Sequence, residues 1–331
     1  FPRDHGAHKD FQIEWWYYTG NLTSATGREF GYQLTFFRTG LHKAPQNPSK
    51  WAVRDLYTAH FAISDVLNQQ HYFFERNSRA GIEQAGAISE TYKVWNGNWR
   101  AFLAGEDHRL QAADGEVAID LTLTPTKGPV LHGDRGLSQK GPTAGNASYY
   151  YSQPRMRTSG TIQVGEETFQ VSGESWMDHE FSSSFLEQGQ LGWDWLSIQL
   201  DNESELMLYQ MRREDGSADP YSSGTLIASD GTVQHLELAE FQMVPLKSWL
   251  SPATGAQYPL HWRITIPFLG YRLDVRPAFD TQEMRTEDTT GINYWEGVVH
   301  VTGDRNGDRL SGRGYMELTG YAGEGLGSLF D

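Results

Sequence analysis

The sequence predicts an all-β protein made of two antiparallel units, and three observations carry that prediction. Glycine and tryptophan are abundant, 35 and 11 of 331 residues, while long alanine- and leucine-rich stretches of helical period are absent. Apolar and polar residues alternate with the two-residue period of strands. Glycine-bearing turns separate these runs, the pattern of sandwiches and up-and-down barrels. A chain of 331 residues exceeds one ordinary core and suffices for two domains.

Val117, Ile119, Leu121 and Leu123 alternate with Ala118, Asp120, Thr122 and Thr124, a half-buried strand. Leu260, Trp262, Ile264 and Ile266 alternate with His261, Arg263 and Thr265; residues 267–270 then turn the chain into Tyr271, Leu273 and Val275. Hairpins are expected around Gly165, across residues 201–204, and at Asp230-Gly231, a pair suited to a type I′ turn. The last strands are expected over residues 294–302 and 309–319. The best helix signal is a short one at residues 183–188. The polar, glycine- and proline-bearing residues 126–146 read as a long loop of the kind that serves as a lid or binding element. Small and polar residues cluster at 182–189 and place the domain boundary there.

A net charge of -15 with no basic stripe argues against nucleic acid and against an anionic membrane surface. No apolar run approaches the length of a transmembrane segment. With no cysteine, disulfides, cysteine–zinc sites and thiol nucleophiles are ruled out. The chain starts at Phe1 rather than methionine, so a removed upstream segment is expected, with a signal peptide or lipoprotein leader one option among others.

Four clusters mix aromatic rings with acids: residues 14–18, 149–151, 176–180 and 294–296, with Trp193 and Trp195 adding a further pair. In Trp176-Met177-Asp178-His179-Glu180, strand alternation puts Trp176, Asp178 and Glu180 on one face and Met177 and His179 on the other. Asp178 and His179 therefore point apart, while Trp176 and Asp178 face the same way. A carboxyl group held among rings is hard to ionise and can act as an acid near neutrality. The competing role for Asp178 is structural, capping a turn or pairing with Arg155 or Arg157.

His5, His8, Glu14, His179 and Glu180 are metal-ligand types, but no His-Glu-x-x-His spacing occurs, and His5 and His8 fall in an expected mobile terminus. No metal is therefore expected. There is no G-x-S-x-G elbow, and the glycine-rich residues 320–327 lack a dinucleotide-binding spacing and read as a loose tail.

Asp10-Phe11-Gln12-Ile13-Glu14-Trp15-Trp16-Tyr17-Tyr18-Thr19-Gly20-Asn21-Leu22 resembles the opening signature of the AttH/CrtC family, relatives of carotenoid 1,2-hydratase (hydroxyneurosporene synthase). Residues 173–181 resemble its central motif, and residues 294–297 and 312–321 its C-terminal ones. The resemblance implies two tandem lipocalin-like antiparallel β-barrel domains, 1–185 and 186–331, with a cavity near their junction. It implies an exported protein, periplasmic or secreted, anchored through an upstream cysteine in lipoprotein members.

In the hydratase branch an aspartate of the central motif protonates a carbon–carbon double bond, and Asp178 matches it with Trp176 two residues before. Tyr149 and Tyr151 stand where the hydratases carry a histidine and a tryptophan, so this chain most resembles the AttH-like branch. These four are the candidate catalytic residues. Glu14, Trp16, His179, Glu180, Trp193, Trp195, Tyr294 and Glu296 are the candidate ligand-binding set. The expected ligand is an elongated apolar molecule, an isoprenoid or lipid, with hydratase-like acid catalysis that requires no cofactor. The alternatives are an accessory protein of an ABC-type transporter or a secreted hydrolase.

Overall fold

A computed structural model describes residues 1–41, 49, 53–81, 83–184 and 186–323. The chain forms two compact units. The first comprises Phe1–Leu67, Tyr72–Pro129 and Ser148–Ser184; the second comprises Asn68–His71, Val130–Ala147 and Phe185–Asp331. Both are built from β-sheet, and helix among the described residues is limited to 3-10 turns at Arg3–His5, Leu238–Glu240 and Pro267–Leu269.

The first sheet opens with β1 (Ile13–Ser24), β2 (Glu29–Gly40), β3 (Asp55–Asp65) and β4 (Gln70–Arg79). Short strands follow: β5 (Ala85–Ile88), β6 (Lys93–Asn96), β7 (Trp99–Ala104), β8 (Asp107–Asp114) and β9 (Val117–Pro125). Within residues 130–147 lie β10 (Val130–Leu131) and β11 (Leu137–Gln139). The long hairpin β12 (Ala147–Val164) and β13 (Glu167–Ser182) turns at Gly165, as expected, with φ 63°. The strands run in the order β4-β3-β2-β1-β13-β12-β9-β8-β7-β6-β5, so β13 sits centrally between β1 and β12.

The two ends of this sheet approach each other. Asn96 on β6 donates to the Tyr57 carbonyl on β3 (3.0 Å), and Ser78 on β4 donates to Asn96 (2.8 Å). Arg76 lies 4.0 Å over the Trp99 ring and donates to Asp114 (2.7 Å). The result is a nearly closed barrel. Its interior is lined by the alternate residues that the strand period selects, including Trp16, Tyr18, Leu34, Phe36, Leu110, Leu121 and Met177.

The second sheet comprises β14 (Gln190–Leu200), β15 (Glu205–Arg213), β16 (Ser223–Ile227), β17 (Val233–Glu237) and β18 (Gln242–Leu250). It continues with β19 (Gln257–Ile266), β20 (Tyr271–Pro277), β21 (Glu283–Thr286), β22 (Ile292–Arg305) and β23 (Asp308–Ala322). The order β17-β16-β15-β14-β23-β22-β20-β19-β18 leaves β17 and β18 as ends. This unit is an open half-barrel, which corrects the expectation of two closed barrels. Its core contains Leu196, Ile198, Trp262, Ile264, Leu273, Trp295 and Met316.

Other expectations change in detail. The helix expected at 183–188 does not form among its described residues, which run through bend and coil into a turn at Gln188 and Gly189; Phe185 lies outside the described residues. Residues 126–146 are not a free loop. His132 hydrogen-bonds Thr225 (2.8 Å), Ser138 hydrogen-bonds Tyr209 (3.1 Å), and both are buried. Asp230-Gly231 turns a hairpin, but only Gly231 has positive φ (84°), so the turn is not type I′. That geometry belongs to Asn306-Gly307 (φ 54° and 93°) between β22 and β23. Gly320 lies in β23, and residues 324–327 of the expected tail fall outside the described residues.

Candidate functional site

Strand β13 carries buried polar groups on both sides, with Asp178 on one and His179 on the other. Directly opposite residues of antiparallel strands share a face, and the register around β13 sorts its neighbours accordingly. Trp16, His179 and Tyr151 form one row across β1, β13 and β12. Tyr17, Asp178 and Ser152 form the adjacent row, facing the other way.

Asp178 is 3% exposed and accepts three hydrogen bonds. The Trp176 indole N–H donates to Oδ1 (2.7 Å), the Tyr150 hydroxyl to Oδ2 (2.8 Å), and Ser152 to Oδ1. Among the described residues no cationic side chain pairs with it. Arg155 is engaged by Glu174 at 2.7 and 2.8 Å, and Arg157 is exposed, so neither expected ion pair forms. Burial pushes the Asp178 carboxyl up to about 7, against the downward pull of Ser152, Trp176 and Tyr150. On the same face, the Ser148 hydroxyl donates to Glu180.

The opposite face, inside the barrel, is centred on Glu14, which is fully buried. Arg38, its cross-strand neighbour on β2, donates from Nε to Oε2 (2.9 Å). Arg38 also donates to Asp55 (2.9 Å) and to the carbonyls of His8 (2.8 Å) and Phe11 (2.7 Å). His179 Nε2 lies 2.9 Å from Glu14 Oε1, and His8 Nδ1 lies 3.0 Å from the same oxygen. Burial acts to raise the Glu14 pKa but is overcome by the hydrogen bonds of His179 and His8 and the charge of Arg38, which bring it down to about 2. Burial holds His179 below the ordinary histidine range, opposed by Glu14.

Beyond His179 the network continues through Tyr151, whose hydroxyl is 3.1 Å from His179 Nδ1 and 2.7 Å from His5 Nδ1. Tyr18 donates to Tyr92 (2.7 Å) and hydrogen-bonds His108 (2.8 Å). Burial lowers His5 to about 4 and His108 to about 3.

This arrangement corrects the expectation of a mobile start. The Trp16 indole donates to the His5 carbonyl (2.9 Å), the Ala7 N–H to the Ile88 carbonyl (2.9 Å), and the His8 N–H to Glu14 (2.9 Å). Gly6 permits that approach, since a Cβ there would lie 2.8 Å from the carbonyl oxygens of Ile88 and Ser89.

Of the four candidate catalytic residues, the structure brings only Trp176 to Asp178. Tyr149 is 45% exposed and stacks on Phe181, with ring centroids 5.4 Å apart. Tyr151 belongs to the interior face with His179. The hydroxyls that reach Asp178 come from Tyr150 and Ser152, which the motif spacing passed over although strand register pairs Ser152 with Asp178. Of the candidate ligand-binding residues, Glu14, Trp16 and His179 converge inside the barrel, where Trp16 and His179 stack at 4.9 Å, while Glu180 lies with Asp178's face.

Trp193, Trp195, Tyr294 and Glu296 gather on one face of the second sheet, opposite the core side that holds Leu196 and Trp295. Glu317 joins them: its backbone pairs with both Trp195 and Glu296, and the Trp193 indole donates to its carboxylate (2.7 Å). On the core side Asp194, unpredicted, binds Arg212 and accepts from the Tyr321 hydroxyl (2.8 Å).

A barrel and a half-barrel with buried aromatic and acid clusters define a lipocalin-like class. The AttH-like family model matches residues 1–321, and the chain belongs to this family. A structure from Nitrosomonas europaea, described as an AttH candidate, is 37% identical with a TM-score of 0.88, covering 98% of this chain and 97% of that one. Kievitone hydratase from Nectria haematococca is 16% identical, with a TM-score of 0.72 over 93% of this chain and 89% of its own. Among curated proteins, dehydratase asqC of Emericella nidulans is 19% identical over 306 residues, 90% of this chain and 82% of that protein. No helix among the described residues is long and apolar enough to cross a membrane.

Proposed function

We propose that the protein binds an elongated apolar ligand, an isoprenoid or lipid, and that Asp178 exchanges a proton with a carbon–carbon double bond of that ligand. The observation that carries the reading is a buried carboxyl group fixed by an indole, a phenol and an alcohol and given no cationic partner among the described residues. An arginine would lock such a group as a carboxylate; neutral donors leave both protonation states open. Its position near 7 supports the same reading.

In the forward direction Asp178 gives its proton to one alkene carbon, leaving a carbocation on the other. Water adds there and returns a proton to the carboxylate, so the group ends as it began. The faces of Trp176 and Tyr150 stabilise the cation by roughly 0.5–2 kcal/mol each. The reverse is a dehydration, and the relatives named above include a hydratase and a dehydratase. Export from the cytoplasm forms part of the proposal.

Gentle purification, organic extraction and mass spectrometry should recover an apolar molecule that then serves as substrate. Asp178→Asn should abolish its turnover while ligand affinity stays within a few-fold. Protein that is always empty and binds nothing in a lipid and polyene panel sinks the binding claim. Unchanged turnover in the variant removes Asp178 from the chemistry.

A further inference from the structure

His8, Glu14 and His179 offer ligand atoms within 4.8 Å of one another inside the first unit, on the face of β13 away from Asp178, with His8 Nδ1 and His179 Nε2 both beside Glu14 Oε1. We propose that these three atoms form a site for a zinc-class divalent cation, which ties residues 3–8 to β1 and β13.

Two imidazoles and one carboxylate are a donor set suited to Zn²⁺, Co²⁺ or Ni²⁺ rather than to the oxygen-seeking Mg²⁺ and Ca²⁺. Tetrahedral coordination at about 2.0–2.1 Å spaces ligand atoms roughly 3.4 Å apart. The separations of 2.9 and 3.0 Å from the two histidine nitrogens to Glu14 Oε1 need to open by a few tenths of an ångström, and the histidine ligand atoms, within 4.8 Å of each other, to settle near the same spacing.

Each ligand is also held from behind. His179 Nδ1 faces the Asp4 carbonyl oxygen at 3.0 Å, and His8 Nε2 faces Asp4 Oδ1 at 3.4 Å. Glu14 Oε2 receives Arg38 Nε at 2.9 Å. Such outer partners fix the tautomer and aim of metal-binding histidines. Stacking completes the alignment: His8 lies 3.7 Å from Phe181, and His179 lies 4.9 Å from Trp16.

The same contacts suit a cation. A neutral imidazole has one N–H; His8 faces Asp4 at one nitrogen and Glu14 at the other, and His179 faces Glu14 at Nε2 and both the Asp4 carbonyl and the Tyr151 hydroxyl at Nδ1. If each N–H serves Asp4, two bare lone pairs converge on one carboxylate oxygen. A dication between them turns that repulsion into three bonds. It also balances the local charge, because Asp4, Glu14 and Asp55 carry three negative charges and Arg38 with the dication carries three positive. The alternative is a metal-free hydrogen-bonded cluster, in which the His179 Nε2–H donates to Glu14 and Nδ1 accepts from the Tyr151 hydroxyl, and the experiment separates the two.

The full-length protein, stripped with chelator, is titrated with Zn²⁺ by calorimetry and with Co²⁺ by visible absorption. The expected result is one equivalent bound, tetrahedral Co²⁺ bands, and a raised melting temperature. His8→Ala, at a partly exposed position, should weaken Zn²⁺ binding at least 100-fold, and Asp4→Asn should weaken it about 10- to 100-fold. Glu14→Gln orphans Arg38 and is read only where circular dichroism shows it folded. Folded protein that takes up no Zn²⁺ or Co²⁺ overturns the site. Stoichiometric binding that survives His8→Ala overturns it in favour of a different location.

Discussion

Two buried aspartates, one in each sheet, solve the same electrostatic problem in opposite ways. Asp178 in the barrel is surrounded by neutral donors: Trp176, Tyr150 and Ser152. Asp194 in the half-barrel binds the Arg212 guanidinium, which lies 3.7 Å over the Tyr321 ring. Burial raises both carboxyls, to about 7 and about 6, the second against the pull of Arg212. Asp194 is a fixture whose charge is answered by a permanent cation. Asp178 has no such answer and can change its proton state without breaking an ion pair. The contrast supports the proposed role of Asp178 more sharply than either pKa does.

The largest effect should come from Arg212→Met. It strands Asp194 in an apolar wall, and loss of about 3–5 kcal/mol of stability is expected in urea unfolding at neutral pH. A loss below about 1 kcal/mol would mean that Asp194 is already protonated, and the contrast would collapse.

The next largest concerns pH. A carboxyl raised on folding binds more protons in the folded state between pH 4 and 7. The stability it contributes is therefore full below about pH 4 and falls as pH rises through 7, by at most about 4 kcal/mol for Asp178. Asp178→Asn should remove that decline and raise stability at pH 7.5, measured in chelator. Asp194→Asn should lower it, because Arg212 is then left uncompensated. Equal shifts from the two variants would refute the comparison.

The smallest effects separate the hydroxyl donors. Tyr150→Phe and Ser152→Ala should each cost about 1 kcal/mol, since neutral donors are all that hold Asp178. Tyr321→Phe should cost about half as much, because Arg212 keeps both its ion pair and a ring to stack on. Chemical denaturation of the three variants gives the ranking, and a larger loss for Tyr321→Phe reverses it.

Much of this architecture was legible in the residue pattern. Alternation in 176–180 separated Asp178 from His179, and the barrel interior contains Met177 but not Trp176. The sequence clusters also held together in space, as Trp193, Trp195 and Glu296 show around Glu317. What could not be read was pairing between distant strands. Glu14 meets Arg38 through the register of β1 with β2, and no local spacing announces it. Tyr150 was passed over in favour of Tyr149 and Tyr151 because motif spacing selected positions where the β12–β13 register selects faces. The fastening of His5 and His8 depends on contacts with Trp16, Ile88 and Glu14, none of them adjacent in the chain.

The two-sided loading of β13 makes the strand intolerant of insertion and deletion. A surface-facing strand can lose one residue and re-pair with modest damage. Here a one-residue slip sends His179 to the Trp176 side and Asp178 into the barrel against Glu14, setting two carboxyls together and stranding Arg38's neighbours. Both polar networks would fail in the same event. Residues 176–180 can therefore change by substitution but not by length, and a designer grafting either network onto another barrel must carry the opposite face with it.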